Sequence, residues 1–281
     1  AYTAEPGVND WYDTIKLNYC DTPSRTWSKM FDIVAFWASA GIDGFRCDMV
    51  ELVPPEFFKW LISRVKKLYP HIIFVAEVYQ KTLYAKYIRE VGFDLLYDKS
   101  GMYDAVRAIV EKNVNDSGVP VEAWQSTKRI TGNWQFLGDL QPYMLNFLEN
   151  HDEQRFASDF FGKDAKNSFA ALYASLLLNQ APFMLYAGEE VGEKGMDTEG
   201  FSGIDGRTTI FDWWAPSALT RLYRYIHGDS TALTENETEL LERYRKVMRF
   251  AAEDKAVSEG VVYDLCYCNY SSDGFNPDRH F

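Results

Sequence analysis

An α/β fold with a parallel sheet is predicted, and two observations predict it. Apolar runs of strand length alternate with helix-period stretches along most of the chain, the pattern of a parallel sheet covered by helices. Three stretches also turn from apolar to polar and close on an acid: Gly44-Phe45-Arg46-Cys47-Asp48, Phe74-Val75-Ala76-Glu77 and Phe147-Leu148-Glu149-Asn150-His151-Asp152. A parallel strand reads this way when it runs through a buried core and delivers one side chain beyond its C-terminal end.

The elements follow in order. Residues 24–40 have helical spacing, with Trp27, Met30, Phe31, Val34, Phe36 and Trp37 apolar, and Gly41 is a stop signal. A strand is predicted at 42–47. Pro54-Pro55 opens a helix that runs to about 69, where Pro70 closes it. A strand at 71–76, a short helix at 83–91 and a strand at 93–97 come next. Helices are predicted at 103–113 and 120–130, separated by Asn115-Asp116-Ser117-Gly118. A strand at 143–148, a helix at 166–179 and a strand at 183–186 complete the alternation. Residues 188–206, rich in Gly and Asp, read as a long loop at the strand ends. Helices at 218–227 and 238–252 follow, and 261–268 reads as one or two strands. No internal repeat or low-complexity segment is visible.

Three carboxylates at three strand ends suit cleavage of a glycosidic bond, in which one attacks, one donates a proton and one supports an oxocarbenium-like sugar. Asp48 is the candidate nucleophile. An Asp after a strand often only caps a helix. Here Arg46 lies two residues back, so both side chains point the same way and the cation keeps the acid ionised. Glu77 is the candidate acid/base; its apolar approach, Ile72-Ile73-Phe74-Val75-Ala76, desolvates the carboxyl, which favours a proton donor. Asp152 is the candidate stabiliser of the transition state, with His151 placed to hydrogen-bond a sugar hydroxyl and Asn150 structural. Arg46 and Tyr79 are further candidates for the sugar cleft; Tyr79 reads equally as core. Arg155 reads as a surface or salt-bridge residue. Trp213 and Trp214 read as helix packing rather than a sugar platform.

Composition excludes several classes. Net charge is −12, and no Lys/Arg cluster stands out. A phosphate backbone is repelled, so nucleic acid is not expected as a partner. No apolar run approaches the length of a membrane span. No signal peptide is visible, and the compartment stays undefined. Cys20, Cys47, Cys266 and Cys268 show no zinc spacing and read as free thiols.

The motifs carry a family resemblance. Gly41-Ile42-Asp43-Gly44-Phe45-Arg46-Cys47-Asp48 resembles the nucleophile motif of the α-amylase family of glycoside hydrolases. Ala76-Glu77-Val78-Tyr79 resembles its acid/base motif, and Asn150-His151-Asp152 its third-carboxylate motif. Ile15-Lys16-Leu17-Asn18-Tyr19 and residues 180–192 resemble two flanking segments. All five occur in the family's order, from about Lys16 to Tyr270. The resemblance implies a partial (β/α)₈ TIM barrel holding strands 4 to 8 and their helices over 1–257, with the beginning of a C-terminal β-sandwich domain over 258–281. It implies a retaining hydrolase of α-glucan (starch or maltodextrin) with Asp48, Glu77 and Asp152 as the catalytic residues and no cofactor required for the chemistry.

Departures from the pattern shape further expectations. The family's Asp-x-x-x-Asn-His motif is absent, so barrel strands 1 to 3 are expected to be missing and the chain alone inactive. Lys16 stands where an Asp often helps to bind calcium, which makes a calcium site doubtful. Glu51 and Leu52 stand where many relatives have Lys-His on the leaving-group side. An α-glucan transglycosylase shares these motifs, and a non-catalytic or inactive fragment acting as a binding or assembly element is the rival of another class. Five strands cannot close a barrel of eight, so the outer strands keep unpaired backbone groups and a homodimer is expected.

Overall fold

The computed structural model describes residues 17–19, 24–111, 126–178, 181–195, 205–208, 215–269, 272–274 and 276. The chain divides into two compact units, Ala1–Tyr97 and Asp98–Phe281.

In the first unit, Ser24 caps helix α1 (Arg25–Ser39) by accepting the Trp27 N–H at 3.3 Å, a contact whose loss costs about 1 kcal/mol. Strand β1 (Gly44–Cys47) runs parallel to β2 (Ile73–Ala76), with Gly44 opposite Ile73 and Cys47 opposite Ala76. On its other side β2 pairs in parallel with β3 (Leu95–Tyr97). A Cβ at Gly44 would lie 2.6 Å from the Ile73 carbonyl oxygen, so glycine permits the close approach of β1 to β2. Helix α2 (Pro55–Leu68) starts on a proline and buries Phe57, Phe58, Leu61, Ile62 and Val65. Those positions form one stripe, which packs inward. Trp27 of α1 meets Phe57 of α2 edge to face, with ring centroids 5.5 Å apart. The Asp94 carboxylate accepts the Phe74 N–H at 2.8 Å and pairs with Lys66. It thereby fastens α2 and the entry to β3 onto β2.

The short helix expected at 83–91 is less regular than predicted. One α turn, α3 (Tyr84–Lys86), widens into a π turn over Tyr87–Val91. The N–H groups of Gly92 and Phe93 both reach the Tyr87 carbonyl, and Tyr87, Ile88 and Val91 are all buried.

In the second unit, Asp98 accepts the Met102 N–H at 2.9 Å and the Asn133 amide at 2.8 Å. These bonds join the turn before α4 (Asp104–Val110) to α5 (Lys128–Leu137). The helix expected at 120–130 is described only from residue 126, and its helical part begins at Lys128. Strand β4 (Met144–Phe147) pairs in parallel with β5 (Phe183–Met184). The Asn146 amide donates to the Ser175 carbonyl at 3.0 Å and so ties α6 (Ser168–Leu177) to β4. Glu193 accepts the Ala218 and Leu219 N–H groups at 3.0 Å each, at the start of α7 (Ser217–Ile226). A carboxylate there satisfies orphan donors and suits the helix dipole. Thr234 and Glu237 form a capping box on α8 (Glu235–Glu253). Arg221 of α7 forks onto Glu237 at 2.5 and 3.0 Å.

A final short helix, α9 (Lys255–Ser258), follows α8. Residues 261–265, expected as strand, are irregular, and Cys266–Asn269 form a 3₁₀ turn. A strand needs a ladder partner, and among the described residues none pairs here. Val261, Tyr263 and Leu265 stay exposed. Cys47, Cys266 and Cys268 are free thiols, and burial pushes the Cys47 thiol up to about 12. Lys16, Cys20, Trp213, Trp214 and residues 196–204 of the expected loop lie outside the described residues. Among the described residues, no helix is long and apolar enough to cross a membrane.

Candidate active site

Four of the predicted residues meet in the first unit. Arg46 is the third residue of β1, and Asp48 follows the strand in a turn. The Arg46 Nη1 donates to Asp48 Oδ1, and Nη2 lies 3.1 Å from Glu77 Oε1. One guanidinium thus serves both acids. Burial pulls the Arg46 pKa down; the Asp48 hydrogen bond and the Glu77 charge outweigh this and hold it above its ordinary value. The guanidinium also lies over the Tyr97 ring at 5.5 Å. Arg46 therefore remains a fixed cation between two carboxylates.

The two acids differ in access. The Asp48 side chain is 65% exposed, whereas that of Glu77 is 4% exposed. Tyr79 is partly exposed, and its hydroxyl donates to Glu77 Oε1 at 2.7 Å, so it is a neighbour of the acid rather than a core residue. An open acid beside a shielded one matches the division of labour between a nucleophile that a reactant must reach and an acid held in one orientation.

Sequence reasoning missed the structural roles of two residues here. Met49 has φ +40°, in the left-handed region, which is strained for a residue with a side chain. The twist aims its N–H at Glu77 Oε2, 2.8 Å away. Nothing in a methionine signals such a turn. Glu51 accepts the N–H groups of Tyr79 and Gln80 at 3.0 Å each. It buttresses the chain leaving β2, and no local pattern links it to residues so far along the sequence.

The second unit carries the other two. After β4, Asn150 accepts the N–H groups of Asp152 and Glu153 at 2.8 and 2.9 Å, an Asx-type turn. His151 Nε2 lies 3.2 Å from Asp152 Oδ2, and both side chains are about a third exposed, at 29% and 35%. Of the two readings of Arg155, the salt bridge holds and the surface position does not. Arg155 is almost fully buried and bonds Glu149 at 2.8 Å, Thr208 at 2.8 Å and the Ala187 carbonyl at 3.0 Å. Burial raises the Glu149 pKa against the pull of Arg155. Glu189 is raised well above the usual carboxyl range by burial and then by the Glu149 charge, while it accepts the Tyr244 hydroxyl at 3.0 Å. Among the described residues, no cluster of His, Cys, Asp and Glu could hold a metal ion.

The family model for the alpha amylase catalytic domain matches residues 13–261. The chain belongs to the α-amylase family. The Alpha-amylase MalA of Haloarcula japonica is 29% identical over 186 residues, covering 66% of this chain and 25% of that protein. An alpha-1,4-glucan:maltose-1-phosphate maltosyltransferase of Corynebacterium pseudotuberculosis is 31% identical over 97 residues, covering 34% of this chain and 14% of that protein. The chain thus spans no more than a quarter of the length of these two relatives. Among solved structures, an alpha-amylase from H. orenii superposes with a TM-score of 0.60 at 22% identity over 84% of this chain and 48% of that one. The cyclic alpha-maltosyl-(1→6)-maltose hydrolase of Arthrobacter globiformis, in complex with that saccharide, gives 0.59 at 20% identity over 86% and 48%. These likenesses show the fold: the parallel strands and their helices are those of a partial (β/α)₈ barrel of the α-amylase family.

Proposed function

We propose that the protein acts as a retaining α-glucan hydrolase. Asp48 attacks the anomeric carbon while Glu77 gives its proton to the leaving oxygen, which forms a glucosyl ester on Asp48. Glu77 then takes a proton from water, the water oxygen attacks the same carbon, and Asp48 leaves as carboxylate. Asp152 and His151 would hold the reacting sugar. The observation that carries this reading is the single guanidinium of Arg46 shared by Asp48 and Glu77 at neighbouring strand ends. No step of this chemistry requires a metal. The test is proton NMR of the first product from starch with a full-length protein. The α-anomer is expected first; the β-anomer first would rule out retention.

A transglycosylase is the second reading, favoured by the match to a maltosyltransferase. The same glucosyl ester would then pass to a sugar hydroxyl instead of water. An added acceptor saccharide would appear in the product if that holds.

Two further points belong to this proposal. The 281-residue chain alone is expected to be inactive, because it lacks the family's first motif. A homodimer is also proposed. On α1, Ile33, Phe36 and Trp37 are 51%, 63% and 51% exposed, an apolar face that a second copy would cover. Light scattering on the purified chain should give twice 32.4 kDa; a clean monomer would refute the dimer.

A further inference from the structure

The second unit contains a cleft of about 250 Å³ between α5 and the irregular segment after α9. Thr131, Trp134 and Gln135 line it from α5, Gln141 from the turn that follows, and Tyr263 and Asp264 from the other side. None of these residues belongs to the proposed catalytic set. We infer that this cleft is a second saccharide-binding site, one that takes a short neutral sugar chain.

The lining chemistry selects the ligand class. Tyr263 is 73% exposed, on the stretch that failed to form a strand. An aromatic face so presented offers an apolar platform to the C–H face of a sugar ring. Gln135 and Gln141 each carry a donor and an acceptor, as paired sugar hydroxyls require. Gln141 is held in place, since its amide donates to the Trp134 carbonyl at 3.3 Å.

Two lining residues also present buried oxygens without a hydrogen-bond partner. Asp264 accepts the Cys266 N–H at 2.7 Å through Oδ1, and its Oδ2 is left unsatisfied. Thr131, only 4% exposed, leaves Oγ1 unsatisfied. Buried polar atoms without partners are costly, and a rotation of either side chain toward the cleft would let a sugar hydroxyl supply the missing bond. Among the described residues no Lys, Arg or His lines the cleft, so a phosphate or carboxylate ligand would meet no cation from them. The volume is below that of a drug-sized pocket, roughly 300–1,000 Å³, which suits a short saccharide rather than a large cofactor.

The site can be tested on the 281-residue chain without any catalytic activity. Maltoheptaose and cellohexaose are titrated separately and followed by calorimetry and tryptophan fluorescence. Saturable binding of either saccharide is expected, weakened roughly tenfold in Tyr263→Ala and weakened in Asp264→Asn. Binding of cellohexaose alone would support the cleft while counting against the α-glucan reading, so the two ideas fail separately. The inference is overturned if neither saccharide binds, or if Tyr263→Ala and Asp264→Asn both bind as the unaltered chain does. Far-ultraviolet circular dichroism of each variant confirms that the fold is intact.

Discussion

Arg46 and Arg155 each hold a carboxylate just beyond a strand, yet their surroundings are opposite. The side chain of Arg46 is 26% exposed and that of its partner Asp48 is 65% exposed. For Arg155 and Glu149 the values are 2% and 1%. An exposed pair is cheap to hold and leaves an acid free to meet a reactant. A buried pair contributes little net stability, but removing one partner strands a charge in a dry site. The difference separates a site that can do chemistry from a strut that fixes the backbone around Asn150–Asp152.

The largest expected effect follows from that contrast. Arg155→Met should lower the stability of the 281-residue chain by about 3–5 kcal/mol, because Glu149 loses its buried partner. Arg46→Met should cost less than that, because Asp48 stays solvated and the buried Glu77 keeps the Tyr79 hydroxyl and the Met49 N–H as donors. Urea denaturation monitored by circular dichroism measures both. Equal losses would mean that Arg46 is as structural as Arg155.

A smaller effect sharpens the buried side of the comparison. Burial and the charge of Glu149 raise the pKa of Glu189 in the folded state. A carboxyl whose folded pKa lies above its unfolded one binds more protons when folded. Its contribution is therefore complete below the unfolded value, about 4.3, and is lost as pH rises towards the folded one. Glu189→Gln should flatten that part of the stability profile above about pH 4.3. Denaturation midpoints taken across the acid-to-neutral range check this, and an unchanged slope would show that Glu189 is not the group responsible.

Much of this was legible in the sequence for physical reasons. The alternation of strands and helices could be read because strands buried on both faces are continuously apolar and helices are periodic. The acids could be read because each ended such a run. What stayed hidden depended on contacts between distant residues. The Glu189–Tyr244 bond joins residues 55 apart, and the burial of Arg155 comes from residues as far away as Thr208. Charge in a sequence does not reveal depth. Residues 261–268 misled in the other direction: their β-branched and aromatic character favours a strand, but a strand without a partner does not form.

The most direct test of the pairing at β1 and β2 is to trap the glucosyl ester. A full-length protein is incubated with a fluorinated glucosyl fluoride, whose electron-poor ring slows turnover of the ester more than its formation. Peptide mass spectrometry then locates the added sugar. The label is expected on Asp48. A label on Glu77 or Asp152 instead, or stoichiometric inactivation with Asp48 unmodified, would contradict the assignment of Asp48 as nucleophile.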